Sequence, residues 1–104
     1  MPRIIYAVIS SGQAVSADLD LRLGQLGLVQ VPTITSADLY VQGNFDTTSA
    51  NFMRLQDAYG DIKFPTGAGS RMVLWPMADL TASYVRFETS VAQTAPRTLV
   101  ALRF

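Results

Sequence analysis

The stretch FMRLQDAYGDIKF, residues 52–64, sets Asp57 and Asp61 four positions apart around a Tyr59-Gly60 pair. A calcium site there would need Asp57, Asp61 and Asp46 to converge, because calcium takes several oxygen ligands in irregular geometry. Two aspartates at this spacing are sparser than a dedicated calcium loop. Phe52, Arg54 and Gln56 alternate with Met53 and Leu55, and Ile62 and Phe64 flank Lys63. The spacing therefore predicts a hairpin whose turn uses Gly60 at positive φ, with no metal.

Other candidate groups are weaker in the same way. Asp18 and Asp20 alternate onto one strand face and form a possible carboxylate pair, but no base, nucleophile or glutamate accompanies them. TGAGS at 66–70 is glycine-rich yet lacks the lysine and following helix of a phosphate-binding loop. Trp75, Tyr40, Tyr59 and Tyr84 offer apolar ring faces with polar edges, which suits sugar stacking as well as core or interface packing. The chain contains neither histidine nor cysteine. That removes the usual zinc ligands, thiolate nucleophiles and every histidine-based relay. No enzyme activity, cofactor or metal is expected.

These residues are carried by elements whose period is two rather than 3.6. In ADLDLRLG the leucines at 19, 21 and 23 alternate with Asp18, Asp20 and Arg22. In DLYVQGNF, Leu39, Val41 and Phe45 are expected to face inward and Tyr40, Gln42 and Asn44 outward. Val85 and Phe87 likewise oppose Tyr84, Arg86 and Glu88. Turn residues punctuate the runs at Ser11-Gly12, Gly24, Pro32, 46–51, Tyr59-Gly60, 66–69, Pro76 and Ala95-Pro96. Eight or nine short strands at this spacing predict an all-β fold, an antiparallel β-sandwich of jelly-roll-like or related Greek-key topology. Helix is confined to single turns near Thr35-Ser36 and after Trp75. The 104 residues are expected to form one domain, 1–104.

Charged residues make up 15 % of the chain, against about 25 % in an average soluble domain. Eight basic and eight acidic side chains cancel, leaving no net field for nucleic acid or an anionic membrane. No run reaches the about 18 apolar residues of a membrane span. Met1-Pro2-Arg3 enters IIYAVI without a small-residue cleavage site, so an unprocessed chain made in the cytoplasm is expected.

The terminal runs break the alternation. RIIYAVI is apolar at Ile4, Tyr6 and Val8 and again at Ile5, Ala7 and Ile9, and TLVALRF sets Val100, Leu102 and Phe104 against Leu99 and Ala101. A sandwich strand has one core-facing side, so the second apolar face must meet a helix, a loop or another subunit, and with no helix long enough another chain is expected ahead of cover by loops. The expected contact uses Ile5, Ala7, Ile9, Val100, Leu102 and Phe104, with Arg97 and Arg103 pairing with carboxylates across it.

The order of the pieces adds a resemblance. A first strand running into SSGQAVSADLDL, then LGLVQVPTITSADLYVQGNFD, FMRLQDAYGD, SRMVLWPMADLTASYVRFETS and VAQTAPRTLVALRF resembles small β-sandwich proteins from tailed-bacteriophage structural gene clusters. The likeness spans essentially the whole chain and departs at NFDTTSANF, where a shorter hairpin is usual. It implies a virion location, as a capsid decoration (cement) or head-fibre protein, or as a tail or collar part. The implied partners are the major capsid protein or other virion proteins, with self-association into a homo-oligomer. The alternative is a carbohydrate-binding or adhesion module that uses exposed aromatics.

Overall fold

The computed structural model describes residues 3–21, 26–34, 37–46, 51–64, 71–74 and 84–103. Among these there is no α-helix, and the expected single turns at Thr35-Ser36 and after Trp75 lie outside them. The strands are β1 (Arg3–Ile9), β2 (Leu19–Asp20), β3 (Leu26–Val31), β4 (Leu39–Asn44), β5 (Met53–Arg54), β6 (Gln56–Asp57), β7 (Gly60–Asp61), β8 (Lys63–Phe64), β9 (Arg71–Leu74), β10 (Tyr84–Thr89) and β11 (Arg97–Arg103). This exceeds the expected eight or nine because the 53–64 region is broken into two-residue pieces.

Those pieces form one interrupted edge. Arg54 pairs with Gln42 and Lys63 with Tyr40, both antiparallel to β4, so residues 55–62 are inserted opposite Val41 alone. The Leu55 N–H donates to the Val41 carbonyl and the Ile62 N–H to the Leu55 carbonyl, which closes the base of the insertion. Gln56 then faces Asp61 and Asp57 faces Gly60 in a hairpin. Gly60 has φ 116°, in the region that favours glycine, as the sequence predicts.

One sheet runs β1-β11-β3-β9 and the other β2-β10-β4-β5, with β8 also on β4, and every pairing is antiparallel. With β5 to β8 counted as one edge strand, these orders are those of a jelly roll. Between the sheets lies the core. Ala7, Ile9, Val29, Val31, Leu99 and Ala101 come from the first sheet, and Leu19, Leu39, Val41, Phe64, Val85 and Phe87 from the second, all nearly inaccessible to solvent. Phe64 and Phe87 pack with ring centroids 5.7 Å apart.

The crossover from β1 to β2 is stitched to the segment after β10. Gly12 N–H donates to Gln93 O, Gln93 N–H to Gln13 O, and Thr89 N–H to Ala14 O. Gln93 is itself buried, donating to the Val91 carbonyl and accepting from Arg97 Nε. The backbone polar groups of this crossing thus find partners within the chain.

Candidate docking surface

Pairing between β1 and β11 decides which apolar side of each strand is which. Ile4 stands opposite Leu102, Tyr6 opposite Val100, Ala7 opposite Leu99 and Val8 opposite Thr98. Directly opposed residues share a face. Ala7 and Leu99 are buried at 1 % and 0 % exposure, so their face is the core.

The contact expected from the sequence is therefore corrected on β1. Ala7 and Ile9 lie in the core and Ile5 packs partly buried against it, so they are not a docking surface. Their outward neighbours Ile4, Tyr6 and Val8 are 58 %, 63 % and 40 % exposed. On β11, Val100 and Leu102 do stand on the outer side, half-buried, and Phe104 lies outside the described residues. Arg97 donates to Gln93 Oε1 and Arg103 to the Asp20 carbonyl, both within the chain.

The outer face continues across the sheet. Val100 pairs with Gln30, Gln30 with Met72, and Leu102 with Leu28. Between Leu102 and Arg103 the register shifts, so that Arg103 pairs with Leu26 and Gly27 has no opposite number. A bulge of this kind bends the strand and increases its twist. Ile4, Leu28, Gln30, Met72, Val100, Ala101 and Leu102 line an apolar groove of about 270 Å³ on this face. Met72 is 63 % exposed beside it.

The second sheet has an outer face of opposite character. Arg54 donates to both Glu88 oxygens, Nε at 3.0 Å and Nη2 at 2.8 Å, and its Nη1 reaches Asp61 at 3.2 Å. Gln56 donates to the other Asp61 oxygen, Gln42 donates to Glu88, and Arg86 donates to Gln42. The Arg54 guanidinium lies 3.9 Å above the Tyr40 ring and that of Arg86 lies 4.2 Å above Phe52. Arg54 covers Tyr40 and Gln42 is bonded between Glu88 and Arg86, and Tyr40, Gln42 and Asn44, which the alternation placed in solvent, are buried.

The Arg54 ion pair is the main cause holding the Glu88 carboxyl below its ordinary range. For Asp61 the main cause is the Gln56 hydrogen bond, with Arg54 adding to it. Carboxylates held ionised by such partners are poor proton donors near neutral pH, and the cluster acts as a clamp that ties the inserted hairpin to the sheet.

Phe45 is a further correction, being 83 % exposed rather than inward. Asn44 Oδ1 accepts from the Phe45 and Asp46 N–H groups, a turn that ends β4 before Phe45 can enter the core. Among the described residues no group of three or more His, Cys, Asp or Glu comes together. Asp61 is engaged by Arg54 and Gln56, and Asp46 accepts from Asn44. The glycine-rich 66–70 and Trp75 lie outside the described residues.

The tyrosines do not form a platform. Tyr40 is under Arg54, whereas Tyr59 is 99 % exposed at the hairpin tip. Tyr84 pairs with Asn44, four strand positions from the Tyr40–Glu88 pair, or about 13 Å at 3.3 Å per residue. No protein-family model, curated protein or solved structure matches the chain.

Proposed function

We propose that this chain is a non-enzymatic structural protein of a tailed-phage virion. In this reading it is a capsid decoration or cement protein that docks on the major capsid protein, or on another virion protein, through the outer face of the β1-β11-β3-β9 sheet. The observation that carries the reading is the exposure of Ile4, Tyr6 and Met72 on one continuous sheet face. Four strands about 4.8 Å apart and some 20 Å long present about 300–400 Å² in projection, within the range of functional patches on monomers. The polar sheet on the other side then faces solvent, with its charges satisfied internally.

The resemblance in the order of the sequence pieces supports the virion location, and jelly rolls recur in viral shells by fold-level analogy. The carbohydrate-binding alternative has Tyr59 and Phe45 as exposed rings, but no pair of aromatics is shown sharing a flat surface. The test is quantitative mass spectrometry of gradient-purified particles from the source phage. A fixed copy number per shell is expected, and particles without the protein refute the reading.

A further inference from the structure

Among the described residues, the edges of the two large sheets differ in how they are guarded. β9 is four residues long and opens on Arg71, β2 is two residues long and ends on Asp20, and the β5 to β8 edge is broken by the inserted hairpin. Short length, charge and interruption are what keep an edge strand from pairing with another chain. β1 has none of these devices. It is seven residues long, keeps one register with β11 throughout, and after Arg3 reads IIYAVI, with no charge, proline or bulge.

The hydrogen bonds show which groups β1 presents along its free side. The Val8 carbonyl accepts from the Ala17 N–H, outside the ladder with β11. Along an antiparallel strand, residues alternate between exchanging both backbone bonds with the neighbour and pointing both away from it. Val8 therefore points away from β11, and by the same alternation so do Ile4 and Tyr6, while Ile5 and Ala7 bond to Ala101 and Leu99. Ala17 closes the edge at Val8. Among the described residues no backbone group meets the outward N–H and C=O of Ile4 and Tyr6.

We infer that a second copy of this chain adds to that edge, β1 against β1 about a twofold axis, joining two four-stranded sheets into one. The strand is self-complementary in one register. With Ile5 opposite Ile5 of the second copy, Ile4 and Tyr6 of each copy exchange both backbone bonds with Tyr6 and Ile4 of the other, and Arg3 lies opposite Ala7 rather than Arg3. An aromatic beside a β-branched residue is a favourable cross-strand pair. The next position would bring Pro2, which has no N–H, to Val8, whose carbonyl is already taken. Moving the axis to Tyr6 would instead require that carbonyl and push Ile4 of the second copy against Ala17. The pairing is isologous, so it stops at two copies. It leaves the outer apolar faces uncovered and on the same side, which doubles the docking surface proposed above without depending on it.

The contact takes about five residues from each copy against about 20–30 a side in a standard interface, so the dimer is expected to form at about 10–500 µM. Sedimentation equilibrium over that range should show monomer and dimer with no larger species. Ile4→Pro removes an outward N–H and no bond to β11. It should stay folded by circular dichroism and weaken dimerisation at least about tenfold. Met72→Asp, on the far edge strand, should dimerise as wild type does. Because the chain has no cysteine, Ile5→Cys reads the register directly. Opposed Cα atoms of a non-hydrogen-bonded pair lie about 4.5 Å apart, within the range a disulfide spans. A mild oxidant should therefore cross-link Ile5→Cys into a dimer well before the more exposed Met72→Cys.

Wild type that stays monomeric to the top of that range overturns the inference, as does assembly that grows beyond two copies. A dimer lost in Met72→Asp but kept in Ile4→Pro is stacking of the outer faces and overturns it too, as does an Ile5→Cys variant that cross-links no faster than Met72→Cys. Should Ile4→Pro fail to fold, the two cysteine variants decide. None of these outcomes bears on the presence of the protein in particles, so failure here leaves the virion reading to its own test.

Discussion

Met72→Asp separates a docking face from a structural one. Met72 is 63 % exposed, and full burial of such a side chain is worth about 1.5–3 kcal/mol, so covering the remainder contributes about 1–2 kcal/mol to docking. Aspartate loses that contribution and leaves an unpaired charged group in a dry contact, which costs at least a further 1–3 kcal/mol or so. The sum of about 2–5 kcal/mol corresponds to a loss of affinity of about 30-fold or more. Stability should change by less than about 1 kcal/mol, because the side chain is outside the core and the strand pairing is kept. Leu99→Ala is the contrast. Leu99 is fully buried, and its truncation should cost about 2–5 kcal/mol of stability. Thermal melting of the two variants and their retention on purified particles measure both effects. A Met72→Asp variant destabilised as much as Leu99→Ala would show that the chain covers this face itself. A variant that folds and docks normally would place the interface elsewhere.

Gly60→Ala should destabilise by about 1–3 kcal/mol in urea melts through backbone strain alone, since φ is 116° and a Cβ would meet nothing within 4 Å. Because the Glu88 carboxyl is held below its ordinary value of 4.5, the stability it contributes is complete above that value and is lost as pH falls through the lowered one. Glu88→Gln should thus be less stable at neutral pH but show a flatter acid limb, and parallel acid limbs would contradict the Arg54 clamp. EDTA should leave the melting temperature unchanged, because Asp61 is already held by Arg54 and Gln56; a fall reversed by calcium would show a native-state site.

The all-β sandwich was legible from alternation, and YVRFET shows why. Val85 and Phe87 are buried while Tyr84, Arg86 and Glu88 are half-exposed, a two-residue period that only one strand rotation satisfies. DLYVQGNF misled at both ends of its logic. Tyr40 is buried under Arg54 of β5 and Gln42 is bonded to Arg86 and Glu88 of β10, and alternation says nothing about what long side chains from neighbouring strands will cover. The turn at Tyr59-Gly60 was readable from glycine. That its flanks return to the same strand, leaving 55–62 opposite Val41, was not, because both flanks look like ordinary strand.

The exposed apolar face of the β1-β11-β3-β9 sheet shows the limit most sharply. RIIYAVI is apolar on both sides, so its burial pattern cannot follow from its own residues; it follows from the register with β11. A shift of one position would put Ile5 and Ala7 outside and Ile4 and Tyr6 in the core. Thr98 and Gln30 mark the outer side of their strands, and Val8 and Val100 are set against them by pairing. Thr98 faces outward on the same side as Val100 and Leu102. Nothing local carries that information to β1, since the two strands lie at opposite ends of the chain. The crossover that follows β1 is bonded in turn to the segment that precedes β11, Gly12, Gln13 and Ala14 meeting Gln93 and Thr89. Which of the two apolar faces of β1 becomes core is thus set by pairing between strands far apart in the chain and not by the residues of β1 alone.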